Sequence, residues 1–424
     1  MRVSLAYGEG RLSVELPDQL TRVIAPKDQP AALDTRGLLS TALRNPVAGL
    51  PLRELVRPGE HVAISICDGT RPQPRKLVLE AIVDHLTGLV EPSDIVVLVA
   101  TGTHRANTQE ELRTMLGADL ASSLRVVNHD ARDPNQLEYL GRVGNAVPLW
   151  LSREWTRADV RITTGLVEPH FFAGFSGGPK MVAPGLAGLE TVLALHDAAR
   201  IGNPTARWGV TEGNPIHDDI RAAAAASDVA FALDVVINGK HEVVAAFGGE
   251  LFAMHAQACS TVRATAMQEV EAPCDVVITS NSGYPLDQNL YQVVKGMSAA
   301  AQVVKSGGLI ICVAECRDGF PEHGLYRELL FSYETPQAML NAIQASPTTL
   351  ADQWQVQIQA QLQAKARIGL HTDGLSYDDV CRAHLEPVQD VEASVNSEVA
   401  EIGSFASVCV LPEGPRTVPF LRRR

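Results

Sequence analysis

Short apolar runs rich in β-branched residues alternate along this chain with longer segments of helical periodicity. Several runs are apolar at nearly every position, which is typical of strands buried on both faces of a sheet. This rhythm predicts parallel strands joined by helices, because parallel neighbours need a long connection. The predicted strands are His61–Cys67, Asp94–Ala100, Leu124–Val127, Asp159–Thr163, Phe231–Val236, Asp275–Thr279, Leu309–Val313 and Val408–Leu411. The predicted helices are Arg75–Leu86, Gln109–Leu116, Leu186–Ala199, Asp218–Ala226, Tyr291–Val304 and Ala338–Ala345.

The length of the chain points to more than one domain. Its 424 residues exceed what one hydrophobic core usually serves, so we expect two α/β domains with largely parallel sheets and an active site in the cleft between them. An acidic, proline-containing stretch at 269–273 precedes a new strand. We therefore expect an N-terminal domain of residues 1–270 and a C-terminal domain of residues 271–395, with residues 396–424 a candidate to return to the N-terminal domain.

Composition excludes several classes of protein. The formal net charge of −13 argues against nucleic acid as a partner, because nucleic acid needs a basic face. No apolar run approaches the ~20 residues of a membrane span, and the first residues lack the apolar core of a signal peptide. The 7 cysteines include no C-x-x-C pair, which indicates reduced thiols. We expect a cytoplasmic protein that binds neither nucleic acid nor membrane.

Polar loops directly follow four of the predicted strands. In open α/β sheets, ligands bind outside the carboxyl ends of the strands, so these loops are the first candidates for a site. They read Asp68-Gly-Thr-Arg-Pro72, Thr101-Gly-Thr-His-Arg105, Thr164-Gly-Leu-Val-Glu-Pro-His170 and Ser280-Asn-Ser-Gly-Tyr-Pro285.

The segment Ser176-Gly-Gly-Pro-Lys180 combines glycines with a lysine. Gly177 and Gly178 permit close approach of the backbone to a ligand, and Ser176 with neighbouring N–H groups is a candidate phosphate cradle. Met181 stands where a nucleoside triphosphate-binding P-loop needs Ser or Thr, so that class is disfavoured. Taken alone, a surface turn with a solvated lysine is an equally good interpretation.

Three histidines and one helix carry further candidate chemistry. His104 and His170, in two of the loops, could flank a substrate as an acid/base pair, or each could simply bond to backbone. His196 lies in a predicted helix, either as a core histidine or as a single metal ligand. Arg71 can bind a carboxylate and Asp68 can accept from a ligand hydroxyl, although both also suit an ordinary turn. Tyr291, Gln292 and Lys295 share one region of a helix surface, where a solvated lysine is the simpler interpretation.

The order and spacing of these motifs together resemble the lactate racemase family. The resemblance spans nearly the full chain and is far more specific than any single glycine motif. It rests on Asp68-Gly-Thr-Arg-Pro72, Thr101-Gly-Thr-His-Arg105, Pro169-His170, Ser176-Gly-Gly-Pro-Lys180, His196 and Tyr291-Gln292-x-x-Lys295.

The resemblance implies a nickel-pincer nucleotide as the cofactor, which is a pyridinium-3-thioamide-5-thiocarboxylic acid mononucleotide that holds Ni(II) through sulfur, carbon and sulfur. It implies Lys180 as the attachment point and His196 as the fourth ligand of a square-planar site. Ser176, Gly177, Gly178 and Asp68 are then candidates for the cofactor's phosphate and ribose. Proteins that make the cofactor are the implied partners.

The implied reaction inverts the carbinol carbon of a small 2-hydroxy carboxylate such as lactate. The α-hydrogen is a poor acid but can leave as hydride when the hydroxyl proton also leaves, which gives a 2-keto acid. Each enantiomer then needs its own base, and His104 and His170 fill these roles. Arg71 and Lys295 are expected to bind the carboxylate, with Gln292 and Tyr291 positioning the substrate.

Three alternatives stay open on sequence alone. A 2-epimerase acting on a sugar acid or larger 2-hydroxy acid would use the same cofactor and differ in pocket size. A non-catalytic nickel-nucleotide carrier would need Lys180 and His196 but not two acid/base histidines. A nicotinamide dehydrogenase is disfavoured, because no G-x-G-x-x-G follows a strand with an acidic residue about 20 positions on.

Overall fold

A computed structural model describes residues 1–27, 29–322 and 324–422. The chain forms two compact units, each of which is an α/β structure. The first unit contains Asp28–His196 and Thr205–Arg263. The second unit contains Met1–Lys27, Asp197–Pro204 and Ala264–Arg424. No helix among the described residues is long and apolar enough to cross a membrane.

Twenty strands run through the described residues in chain order. They are β1 (Arg2–Tyr7), β2 (Gly10–Glu15), β3 (Thr21–Val23), β4 (Val62–Cys67), β5 (Ile95–Ala100), β6 (Arg125–Asn128), β7 (Leu137–Val143), β8 (Val147–Ser152), β9 (Val160–Leu166), β10 (Pro169–His170), β11 (Gly174–Phe175), β12 (Phe231–Ile237), β13 (Val243–Gly249), β14 (Met267–Val270), β15 (Cys274–Ser280), β16 (Val304–Val313), β17 (Arg367–His371), β18 (Glu386–Pro387), β19 (Val408–Leu411) and β20 (Val418–Leu421).

Sixteen α-helices lie between these strands in the described residues. They are α1 (Thr35–Arg44), α2 (Leu52–Leu55), α3 (Arg75–Leu86), α4 (Gln109–Leu116), α5 (Ala118–Ser123), α6 (Arg153–Thr156), α7 (Leu189–Leu195), α8 (Ala198–Ile201), α9 (Pro215–Ala225), α10 (Leu251–Ala266), α11 (Leu290–Ala300), α12 (Tyr326–Phe331), α13 (Pro336–Ala345), α14 (Gln353–Lys365), α15 (Tyr377–Arg382) and α16 (Val391–Ile402).

The first unit is built on a six-stranded sheet with the order β13-β12-β9-β4-β5-β6. All neighbours are parallel except β12 and β13. Every residue of β4 is buried, as the continuous apolar run predicts for a strand covered on both faces. The core joins β4, β5, β9 and β12 to α1 and α3 through Ile64, Val97, Ile162, Leu233, Leu39 and Leu79.

The second unit has a six-stranded sheet of entirely parallel strands, with the order β18-β17-β16-β15-β19-β3. Its core includes Ile278, Ile311 and Val410 of the sheet and Val395 of α16. The prediction of an α/β protein with two largely parallel sheets is therefore confirmed.

The structure divides the chain differently from the predicted domain boundaries. Strand β19 pairs with β15 and β3, so the C-terminal segment up to residue 422 does not return to the first unit, and residues 423 and 424 lie outside the described residues. Instead, residues 1–27 join the second unit through β3. Residues 197–204 also belong to that unit. Pairing between strands that are distant in sequence decides which unit each segment joins. Local hydrophobic periodicity does not indicate which strands pair.

Candidate active site

The carboxyl edge of the first sheet contains a topological switch point. From the central strand β4 the chain proceeds to β5 and β6 on one side, and it later forms β9 and β12 on the other. Loops that leave neighbouring strands in opposite directions open a crevice, which is where α/β proteins bind ligands. The loops after β4, β5 and β9 carry Asp68, His104 and His170.

Asp68 and His104 form a hydrogen-bonded pair across two of these loops. Nδ1 of His104 lies 2.7 Å from Oδ2 of Asp68, and the Thr70 hydroxyl donates to Oδ1 at 2.7 Å. Burial raises the pKa of Asp68, but the charge and hydrogen bond of His104, together with Thr70 and Arg71, bring it down to about 2. The ionised carboxylate therefore holds the proton of His104 on Nδ1, which leaves Nε2 as the proton-accepting atom.

Both oxygens of Asp68 accept hydrogen bonds from protein groups in this arrangement. The expectation that Asp68 binds the ribose or phosphate of a cofactor stays a prediction, since each carboxylate oxygen can accept more than one hydrogen bond. The side chain of Asp68 is 7% exposed, whereas that of His104 is 38% exposed. The arrangement is that of a buried carboxylate orienting an accessible imidazole.

Arg71 connects the loop after β4 to the loop after β9. Its Nε lies 3.4 Å from Oε1 of Glu168, and its side chain is largely buried. The loop after β4 is also held by buried Arg75, which donates to the carbonyls of Cys67, Asp68 and Arg71. The guanidinium of Arg71 is thus held at the sheet edge that carries His104.

Phe172 brings three of the candidate residues together. The Lys180 amine lies 5.5 Å from the centre of the Phe172 ring. The rings of His170 and His196 pack edge-on against it, with centroid separations of 4.4 and 5.1 Å. Sequence reasoning missed Phe172, because an aromatic residue next to a histidine carries no chemical signature of its own.

His196 terminates α7 instead of lying within a helix as predicted. The expected helix Leu186–Ala199 is interrupted there, because the Asp197 side chain caps the new helix α8. His196 is buried, and its Nδ1 donates to the carbonyl of Val192 at 2.7 Å. A carbonyl only accepts, so the lone pair of the neutral ring lies on Nε2, the tautomer that metal-ligating histidines adopt.

His170 lies in the short hairpin of β10 and β11. The Ala173 N–H donates to its Nδ1 at 3.3 Å, which places the proton of the neutral ring on Nε2. Buried Asn214 supports the hairpin, since its side-chain amide donates to the carbonyls of Phe172 and Val210, both at 2.8 Å. The Asn214-Pro215 pair predicts a helix start, but nothing in the sequence indicates that its amide also reaches this hairpin.

Three N–H groups of the glycine segment donate to the protein's own groups, and the role of the segment as a phosphate cradle stays a prediction. The N–H of Ser176 donates to Glu168, that of Gly178 to Asp234 and that of Lys180 to Gly177, at 2.9, 2.6 and 3.1 Å. The Ser176 hydroxyl donates to the carbonyl of Leu166 at 2.7 Å. Gly177 and Gly178 have φ of 72° and 50°, a conformation that favours glycine whatever the ligand.

The remaining three candidates lie on α11 of the second unit. Asn289 caps this helix, and Nζ of Lys295 donates to Oε1 of Gln292 at 2.6 Å, as the three-residue spacing predicts. The indole N–H of Trp354 donates to the Tyr291 hydroxyl at 3.0 Å. Trp354 belongs to α14. The sequence did not predict its contact with Tyr291, because the two helices are far apart along the chain.

Metal-binding side chains do not cluster in the described part of the chain. No group of three or more His, Cys, Asp or Glu residues there is arranged to hold a metal ion.

Fold and site together define a two-unit α/β protein with two histidines, His104 and His170, near the switch point of a largely parallel sheet. Residues 7–209 match the model of the lactate racemase N-terminal domain, and residues 269–418 match that of the lactate racemase C-terminal domain. The chain belongs to the lactate racemase family.

Relatives agree with this assignment over nearly the full length. The lactate racemase of Thermoanaerobacterium thermosaccharolyticum is 35% identical over 417 residues, which is 97% of each chain. That of Lactiplantibacillus plantarum is 34% identical over 385 residues, or 90% of each chain.

Solved structures show the same fold. The lactate racemase apoprotein from T. thermosaccharolyticum superposes with a TM-score of 0.93 at 34% identity and covers 100% of both chains. A Thermotoga maritima protein that is 20% identical shares the fold with a TM-score of 0.68, covering 91% of this chain and 97% of the other.

Proposed function

We propose that this protein is a racemase or epimerase that inverts C2 of a small 2-hydroxy carboxylate, such as lactate, with a nickel-pincer nucleotide as cofactor. The observation that carries the proposal is the Asp68–His104 pair at the sheet edge that also supplies His170. A carrier of the nucleotide would have no use for a histidine whose proton-accepting atom is set by a buried carboxylate. Both curated relatives named above are lactate racemases.

The residues around Phe172 fit the proposed cofactor. His196 presents the metal-binding tautomer, and the Lys180 amine lies over the same ring that His196 packs against. Since the described residues contain no complete cluster of protein ligands, a nickel ion there suits a cofactor that brings its own donors. Lys180 would hold the nucleotide and His196 would bind the nickel. Ser176, Gly177 and Gly178 would contribute by shaping the backbone before Lys180.

When bound, this cofactor supplies an acceptor for the α-hydrogen as hydride. The protein must then handle the hydroxyl proton of the substrate on either face of the carbinol carbon. His104, with Nδ1 held by Asp68, would accept that proton from one enantiomer at Nε2 and return it when the other enantiomer reacts. His170 would serve the opposite face, where it can act as a base only after its Nδ1 releases the N–H of Ala173 or its Nε2 loses the proton. Imidazole suits both tasks because its pKa lies near neutral pH.

Charged and polar side chains would hold the substrate. Arg71 is the proposed partner of the substrate carboxylate, because its guanidinium can form paired hydrogen bonds with two oxygens. Its ion pair with Glu168 would have to loosen for both oxygens to bind. Lys295, Gln292 and Tyr291 are proposed as further substrate-binding residues. The Lys295–Gln292 and Trp354–Tyr291 hydrogen bonds set their orientation.

The test is to produce the protein with nickel and the proteins that make the cofactor, and to follow the conversion of each lactate enantiomer by chiral chromatography in D2O. We expect both directions to reach the same equilibrium, with the α-hydrogen retained in the product. Retention is expected because a transferred hydride does not exchange with solvent. A panel of longer 2-hydroxy acids and sugar acids in the same assay identifies the preferred substrate.

A matched control separates the site from general effects of histidine replacement. His61 lies just before β4, exposed at the opposite edge of the same sheet. The variant His61→Gln should therefore racemise at the wild-type rate, while His104→Gln should not. Full deuterium incorporation at C2 would contradict hydride transfer. A fully loaded protein that converts no 2-hydroxy acid would favour a carrier.

A further inference from the structure

A single acidic residue interrupts the apolar strand β12, whose sequence is Phe-Ala-Leu-Asp-Val-Val-Ile. Asp234 is 0% exposed and pairs in register with Gly165 on the neighbouring strand β9. Burial raises its pKa to about 7, and the N–H of Gly178 opposes the rise. Because a buried carboxylate costs free energy, an apolar side chain would be the more stable occupant of this strand position.

The Asp234 carboxylate lies directly beneath the glycine loop. Its Oδ2 accepts the N–H of Gly178 at 2.6 Å. A Cβ added to Gly177 would come within 2.6 Å of the same oxygen, and one added to Gly165 within 2.7 Å of Oδ1. The backbone therefore closes over the carboxylate so tightly that glycine is needed at both positions.

His255 of α10 contacts the same loop. Its Nε2 donates to the carbonyl of Ser176 at 2.9 Å, and a Cβ on Gly178 would come within 2.4 Å of its Cγ. Burial lowers the pKa of His255 to about 4, so the ring is neutral at pH 7. Asp234 thus accepts one N–H of the loop 176–178, and His255 donates to one of its carbonyls. This loop ends two residues before Lys180.

We propose that Asp234 is a positioning residue that fixes the backbone of residues 176–178 and so sets the direction in which Lys180 presents its amine to the cofactor. This inference rests on the proposed function in one respect, namely that Lys180 holds the nucleotide. The loop geometry itself involves no ligand, because the N–H of Gly178 donates to the protein's own carboxylate.

Two variants of Asp234 separate the hydrogen bond from the bulk of the side chain. Asp234→Leu removes the acceptor but keeps a branched side chain of similar shape, while Asp234→Asn retains an oxygen for the N–H of Gly178. In the apoprotein, labelling of Lys180 by an acetylating reagent is followed by peptide mass spectrometry, with exposed Lys240 as the internal reference. We expect faster labelling of Lys180 in the Leu variant and a near wild-type rate in the Asn variant.

Cofactor loading gives a second readout. After co-production with nickel and the cofactor-making proteins, we expect nickel retention to fall about tenfold or more in Asp234→Leu and to stay near wild type in Asp234→Asn. Thermal unfolding should show that the Leu variant is folded. A folded Leu variant with wild-type labelling and wild-type nickel content would overturn the inference.

A glycine pair covers the case in which Asp234→Leu does not fold. Gly178→Ala should disturb the loop from the His255 side, whereas Gly59→Ala has a similar positive φ of 83° with no atom within 4 Å of the new methyl group. Faster Lys180 labelling only in Gly178→Ala supports the inference, and equal labelling in both variants refutes it. If the wild-type protein takes up no nickel nucleotide, the proposed function fails while the labelling of the apoprotein still decides the role of Asp234.

Discussion

Oδ2 of Asp68 and Nδ1 of His104 lie 2.7 Å apart although they come from different loops. The reason is the register of the parallel strands β4 and β5, in which Cys67 pairs with Ala100. Both strands therefore end at the same level, and the residues that follow them share one edge of the sheet. A buried carboxylate and an accessible imidazole meet there without any sequence motif that joins them.

The first expected outcome concerns this pair. Asp68→Asn should lower kcat for both enantiomers by roughly 10²-fold, because an amide neither stabilises the protonated imidazole nor reliably keeps the proton on Nδ1. Steady-state kinetics of the loaded protein measure the effect, with nickel content checked in parallel. Wild-type kcat would mean that Asp68 does not act through His104, and loss of the cofactor would support the expected cofactor-binding role of Asp68.

The histidine pair distinguishes two-base racemisation from one-sided oxidoreduction. His104→Ala and His170→Ala should each lose about 10²–10⁴-fold of activity from both enantiomers, because every turnover uses one histidine as base and the other as acid. Racemisation is followed separately from each enantiomer, with cofactor content as the control. A single variant that keeps the wild-type rate in both directions would contradict the two-base assignment.

His196→Ala should lower nickel retention more than nucleotide retention. The substitution removes one proposed metal ligand, whereas Lys180 remains to hold the nucleotide. Metal analysis and mass spectrometry of the loaded variant give the two quantities independently. His129, another buried histidine whose Nε2 donates to a backbone carbonyl at 2.9 Å, provides the matched control in His129→Gln. Equal nickel content in His196→Ala and wild type would exclude His196 as a ligand.

Lys180→Ala should abolish any mass increment that survives denaturation of the loaded protein. The amine is the only group of this side chain able to form a covalent bond with the cofactor. Intact-protein mass spectrometry compares the variant with wild type, and Lys240→Ala is the control. A wild-type protein that binds nickel but shows only the bare chain mass would indicate a cofactor held without a covalent bond.

The pH dependence of stability should report the buried carboxylate of Asp234. Its pKa of about 7 in the folded protein exceeds the ordinary value of 3.8, so the folded state binds more protons between these values. The contribution of this group to the free energy of unfolding is therefore largest below about pH 4 and falls as the pH rises to 7. The side chain in Asp234→Asn cannot ionise. The difference between the melting temperature of this variant and that of wild type should therefore shift in favour of the variant as the pH rises over this range.

Differential scanning calorimetry of both apoproteins between pH 4 and 8 measures this difference. Asp119, an exposed acid on α5, supplies the control variant Asp119→Asn. A difference in melting temperature between Asp234→Asn and wild type that does not change with pH would show that Asp234 does not titrate in this range.

Local pattern in the sequence determined the elements and the loops that carry the candidate chemistry. The helices Arg75–Leu86 and Gln109–Leu116 and the strand Val408–Leu411 have the predicted bounds, because periodicity, prolines and capping residues act over a few residues. His104, Arg71 and His170 were singled out because they follow strands at the edge where α/β proteins bind ligands, and because their motifs resemble the lactate racemase family. The spacing of Gln292 and Lys295 likewise predicted their contact on one helix face.

Only the tertiary structure decided which distant segments meet. The pairing of β3 with β19 and the contacts of Asp234 with the glycine loop depend on partners far along the chain. The tertiary contacts also paired Asp68 with His104 and gave the N–H groups of Ser176 and Gly178 acceptors within the protein. The sequence shows which hydrogen-bonding groups are available. Tertiary packing excludes water from the buried groups, and it is this packing that determines which protein group each of them bonds to.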